Sequence, residues 1–134
     1  MKTEQEQQAK AARTTSKDQV QRAWQNYEVG WATLKDRPTL HFKTIPWPTL
    51  KVPTSPEDLS TNTIGPFLLS PHHSQAKSNR DRIKEQLLRW HPDRFEGKWM
   101  TKVAQSDKDM VKEAVGQVVR SLNELNTREN SPFA

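Results

Sequence analysis

Apolar positions recur with helical spacing in four stretches of the chain. Val20, Trp24, Tyr27, Trp31 and Leu34 follow one another at intervals of four, three, four and three, which places them on one face of an α-helix. Ser16 with Gln19 has the form of a capping box that opens this helix. Arg37-Pro38 closes it near Asp36, because proline disfavours helical geometry in the residue before it. Ile64, Phe67 and Leu68 predict a short helix from about Asn62 to Leu69, capped by Thr61 or Asn62 and stopped by the turn at 70–74. Ala76, Ile83, Leu87 and Trp90 predict a third helix, capped by Ser74 or Ser78 and ended at His91 by Pro92. Val111, Val115, Val118, Leu122 and Leu125 repeat the spacing of the first stripe. They predict a last helix from Ser106 or Asp107 to Asn126-Thr127, with Asp107 and Asp109 at its positive end.

Seven of the nine prolines lie between 38 and 71, which excludes a long helix or a central strand there. Leu40, Phe42 and Thr44 alternate with His41 and Lys43, enough for one short extended piece. Pro46-Trp47-Pro48 holds an indole on a stiff backbone, which loses little entropy on docking. The expected fold is mainly α: an antiparallel helical hairpin with a short preceding helix, an N-terminal amphipathic helix and a Pro-rich extended linker. The expected boundaries are a flexible or frayed tail at 1–15, the aromatic helix at 16–36, the linker at 37–61, the helical module at 62–126 and a tail at 127–134.

Composition narrows the class. A chain of 134 residues has room for one domain plus some tail. With 32% hydrophobic and 28% charged residues and a mean hydropathy of −0.98, a small core with arms or partner-dependent segments is expected. The absence of cysteine excludes disulfides and thiol catalysis. No apolar run approaches the roughly 20 residues that cross a bilayer, and the first residues do not form a signal peptide. A soluble intracellular protein that makes no membrane contact is expected. The net charge of +5 suits acidic partners. Residues 77–102 carry eight Lys/Arg against four Asp/Glu, so the excess is concentrated in the third helix and the connector after it.

That region holds the motif. Leu87-Leu88-Arg89-Trp90-His91-Pro92-Asp93-Arg94-Phe95 resembles the J-domain signature of DnaJ-type co-chaperones, in which His-Pro-Asp lies between two long helices. Pro92 sets a turn and Asp93 offers an acceptor to a cationic partner group. Lys77, Arg80, Arg82, Lys84, Arg89 and Arg94 form a candidate cationic docking face. The chain departs from the J pattern at Gln86 (usually Leu), at Leu87 (usually Ala), in its valine-rich last helix and in its shortened first helix, so the module is J-like. A wider resemblance runs through Trp31, HFKTIPWP (41–48), PFLLSP (66–71), LLRWHPDRFEGKW (87–99) and VVRSLNEL (118–125). These segments are similar to the C-terminal half of the NF-kappa-B inhibitor-like family, particularly its fungal members. The resemblance implies a nuclear adaptor associated with the pre-mRNA splicing machinery. No ankyrin pattern is present, so ankyrin-mediated binding is not implied.

Trp24, Tyr27, Trp31, Phe42 and Trp47 are candidate anchors for a partner, with packing inside their own domain as the open alternative. No catalytic residue is assigned, because no Ser, Cys or Gly-rich loop stands near His91 and Asp93 in a catalytic pattern. Adjacent His72 and His73 point apart on most backbones and lack a third ligand at metal-binding spacing, so no metal and no cofactor is expected. Three functions remain open. The preferred one is a non-enzymatic adaptor in a nuclear ribonucleoprotein; the others are a co-chaperone acting on a DnaK-type ATPase, and RNA phosphate binding through the basic helix face.

Overall fold

Five α-helices order the chain: α1 (Lys2–Ala32), α2 (Thr61–Leu68), α3 (Asn79–Arg89), α4 (Pro92–Lys98) and α5 (Lys108–Asn130). The computed structural model describes residues 2–130, with side chains from 17 to 130. The fold is mainly α. Short 3₁₀ turns punctuate the connections, and a single parallel bridge, Leu40 to Val103, is the only β pairing among the described residues. None of these helices is long and apolar enough to cross a membrane.

The helical hairpin is formed by α3 and α5. All five apolar positions of the last stripe are buried, joined by Ala114 and Ser121. Asn79, the first residue of α3, donates from Nδ2 to Oε1 of Glu129 near the end of α5 at 3.0 Å, so the two helices run antiparallel. Ser78 caps α3, its Oγ accepting from the Asp81 amide at 3.1 Å. The buried face of α3 is Arg82, Ile83, Gln86 and Trp90. Ala76 lies before the helix and is exposed, and Leu87 sits at the edge of the face. Ser60 caps α2, its amide donating to Thr63 Oγ1 at 3.0 Å.

Several expected boundaries move. The helix expected to open at Ser16 already begins at Lys2, so Ser16 is an interior residue and the expected tail at 1–15 is helical from residue 2. The last helix continues past Asn126-Thr127 to Asn130, where the Arg128–Glu124 pair, one turn apart, braces the added residues; the rest of the expected tail lies outside the described residues. The connector after His91 holds a helix of its own, α4, which Pro92 starts from the first helical position, where its missing N–H costs nothing.

The largest correction concerns residues 37–61, expected as a linker. Leu40, Phe42, Ile45, Trp47 and Leu59 are each 5% exposed or less and belong to the same core as the helices. Proline fixes the backbone here, and these five side chains between the prolines turn inward. Leu40 is tied by backbone bonds to Lys102 and Ala104, both 2.8 Å, and Asp107 accepts the Phe42 amide at 2.9 Å. The hydrophobic core draws on every stretch from Tyr27 in α1 to Leu125 in α5, where composition had suggested a small one with arms.

Candidate partner-binding site

The core is organised around Trp90, the last residue before the His-Pro-Asp bend. Its fully buried indole stacks on Trp47 (centroids 5.1 Å, planes 13° apart) and on Phe95 (5.8 Å, 12°). Trp31 meets it edge-on at 4.9 Å. Three segments distant in sequence, α1, the Pro-rich stretch and the α3–α4 junction, therefore converge on one ring. Each polar edge of this cluster has a partner. Trp90 Nε1 donates to Tyr27 Oη at 3.0 Å, and Tyr27 Oη donates to Gln86 Oε1. Trp47 Nε1 donates to the Phe42 carbonyl at 2.7 Å, and Trp31 Nε1 to the Pro46 carbonyl at 3.2 Å. A buried polar chain of this kind is favourable only because every member is satisfied.

The aromatic candidates thus take the inward role. Tyr27, Phe42 and Trp47 are buried, and Trp24 and Trp31 pack half-buried against the core. Their assignment as partner anchors is corrected, since their rings pack into the core, although Tyr27 and Trp47 also border a surface cleft. Gln86, met in the sequence only as a departure from the J pattern, and Glu28, which no sequence signal marked, both attach α1 to α3. Glu28 holds Arg89 through two oxygens at 3.0 and 3.3 Å. The Arg89 guanidinium also lies over the rings of Tyr27 and Trp31, at 5.3 and 5.2 Å.

Burial pushes the Tyr27 phenol up from its ordinary 10.0 to about 12, with the nearby Arg89 cation opposing the rise. Below pH 10 both folded and unfolded chains hold the proton. Between pH 10 and 12 only the folded chain does, so stability falls as pH rises through this window, by about 3 kcal/mol in all. Tyr27 is the single tyrosine, so phenolate absorbance reads this group alone. The titration midpoint of the native protein is expected above that of the urea-unfolded chain; coincident curves would show that the ring is not sealed.

The cationic face divides in three. Arg82 turns inward and is 6% exposed. Its Nη1 donates to the Ser70 carbonyl at 2.7 Å, and its Nη2 to the carbonyls of His73 and Ser74 at 2.7 and 2.8 Å. Arg89 is committed to Glu28. These two leave the docking face, because α3 must bury one side and both residues fall on it or at its margin. Lys77 is exposed but paired with Glu85 at 2.8 Å. Arg80, Lys84 and Arg94 are exposed and form no ion pair among the described residues.

The loop that Arg82 staples contains His73, whose Nε2 lies 2.7 Å from the Phe67 carbonyl. A carbonyl only accepts, so Nε2 carries hydrogen, and Nδ1 faces the Ser74 hydroxyl at 3.0 Å. The ring stacks on Trp24 at 3.9 Å. Burial, aided by the Arg82 cation, holds His73 below the usual histidine range and keeps it neutral at physiological pH. Its neighbour His72 is partly exposed and donates its amide to Ser70 Oγ.

The His91-Pro92-Asp93 bend has the opposite character. All three residues are exposed, as is Arg94, while Phe95 directly after them is fully buried. His91 caps α4, its Nδ1 accepting the Asp93 amide at 3.2 Å. That bond fixes the imidazole against the backbone. The Asp93 carboxylate forms no hydrogen bond or ion pair among the described residues. A rigid bend, set by proline and a capped helix and anchored by Trp90 and Phe95, therefore holds one open carboxylate toward solvent.

No curated protein and no solved structure is significantly similar to this chain. A family model does match, over residues 64–130, which is half of the chain and includes α3, the exposed bend, α4 and α5. That model describes the C-terminal domain of NF-kappa-B inhibitor-like protein 1, and the chain belongs to this family.

Proposed function

We propose that the protein is a non-enzymatic nuclear adaptor with a J-like module, presenting His91-Pro92-Asp93 to a protein of the pre-mRNA splicing ribonucleoprotein. The exposed Asp93 carboxylate on a rigidly anchored bend carries this reading. Ordering costs have already been met in the free protein, so a cationic group of a partner docks there with little entropy left to lose. Arg80, Lys84 and Arg94 add positive charge on and beside the outer face of α3, which suits a partner with acidic residues near that cation. The placement in the nucleus and in splicing follows the family resemblance carried by the IPWP and RWHPDRF segments.

Affinity capture from nuclear extract with the full chain tests the proposal. Wild type is expected to retain splicing proteins, and Asp93→Asn to lose most of them, about a tenfold drop for one charge-assisted bond worth 1.4 kcal/mol or more. Equal retention by both would overturn it. The intact tripeptide also favours a second reading, stimulation of a DnaK-type ATPase. On that reading ATP turnover rises with the wild-type chain and not with His91→Gln. The Glu28–Arg89 clamp weighs against it, because α1 occupies part of the cationic side of α3.

A further inference from the structure

Across the Pro-rich stretch, Leu50-Lys51-Val52 stands out from the surface. Val52 is 70% exposed and Leu50 39%, two of the five large apolar side chains left exposed among the described residues. A cleft lies on each side of this ridge. One, of about 200 Å³, reaches Tyr27, Ile45 and Trp47. The other, of about 490 Å³, is walled by Pro53, Asn62 and Pro66. Both share Thr49, Leu50, Val52 and Pro53, so they form one groove divided by the ridge.

Two further features limit what fits there. The amides of Leu50, Lys51 and Val52 donate to no backbone or side-chain acceptor among the described residues, although the Lys51 carbonyl accepts from Thr49 Oγ1 at 2.6 Å. The charges lining the groove are Lys43 and Lys51 against Asp58. Neither lysine forms an ion pair among the described residues. Asp58 is turned to Thr54, accepting its amide and its hydroxyl at 2.8 Å each.

We infer that this ridge and its two clefts are a docking site for an extended, acidic segment of a partner protein with apolar side chains at alternate positions. An extended chain turns every second side chain to the same side, so apolar residues at alternate positions all face the clefts beside Leu50 and Val52. Its carbonyls accept from the open amides on the side it lies against, which in an extended backbone are alternate ones. Its carboxylates meet Lys43 and Lys51. This surface lies on a different segment from the His91–Asp93 bend, so the adaptor would hold two partners at once.

The test is titration of the full chain with the synthetic peptide Asp-Val-Glu-Leu-Asp-Val-Glu, followed by amide NMR shifts. Saturable shifts are expected at Leu50, Lys51 and Val52. Binding is expected to weaken about tenfold in Val52→Asp, an exposed change that leaves the circular dichroism and melting curve unaltered. Replacing the acidic residues of the peptide by lysine, or its apolar residues by serine, is expected to abolish saturation. The inference is overturned by no saturable shift, by equal affinity for Val52→Asp, or by shifts centred on Arg80 and Lys84. It is equally overturned if single-stranded RNA shifts these three amides and the peptide does not. Asp93→Asn should bind the peptide as wild type does, so this site and the His91–Asp93 bend succeed or fail separately.

Discussion

Trp90→Ala is expected to destabilise the domain by about 4 kcal/mol, a large part of what a chain of this size possesses. The indole is fully buried, and its removal opens a cavity against Trp31, Trp47 and Phe95 together. It also strips the Tyr27 hydroxyl of its donor inside the core. Trp90→Phe keeps most of the ring and loses the Nε1–H bond, so about 1–2 kcal/mol is expected. Urea unfolding followed by circular dichroism ranks the two. Because Trp90 joins α1, the Pro-rich stretch and the α3–α4 junction, all three should unfold in one transition. If Trp90→Ala shifted the midpoint no more than Trp90→Phe, the cluster would not be the centre of the fold.

Arg82→Met is the second large effect, about 3 kcal/mol. Methionine fills much of the volume and leaves the carbonyls of Ser70, His73 and Ser74 without their donors. Lysine should not rescue, since one ammonium cannot reproduce the fork that spans three carbonyls. Losing the staple frees the loop on which His73 stacks against Trp24, so the docking of α1 should loosen as well. Arg80→Met, about half a turn away on the exposed side of α3, is the control and should stay within about 0.5 kcal/mol of wild type. Equal effects at 80 and 82 in urea melts would contradict the inward assignment.

Arg82 also shows where the sequence is opaque. The stripe of Ile83, Leu87 and Trp90 correctly locates α3, but periodicity alone leaves the centre of a face uncertain by about one residue. The buried face is turned toward Arg82 and Gln86. A polar Gln86 flanked by Ile83 and Trp90 was the available signal, since it needs a buried partner and finds one in Tyr27. The stripe of α5 was legible outright because β-branched and leucine residues fill it without a break. The start of α1 was not: its first residues are Gln, Glu, Lys and Ala, with no apolar period to mark a boundary. In the Pro-rich stretch, prolines report what the backbone cannot do and are silent on where the side chains between them go. The His91–Asp93 bend was legible because Pro92 breaks the helical pattern at a point where charged residues surround a buried aromatic pair.

On this reading the aromatic core holds the His91–Asp93 bend outward for another macromolecule. The most direct test is a photo-crosslinking amino acid at position 94, beside the intact tripeptide, irradiated in nuclear extract. Adducts to a second protein are expected, and they should disappear when Asp93→Asn is added. Adducts confined to this chain itself, or to RNA alone, would contradict it.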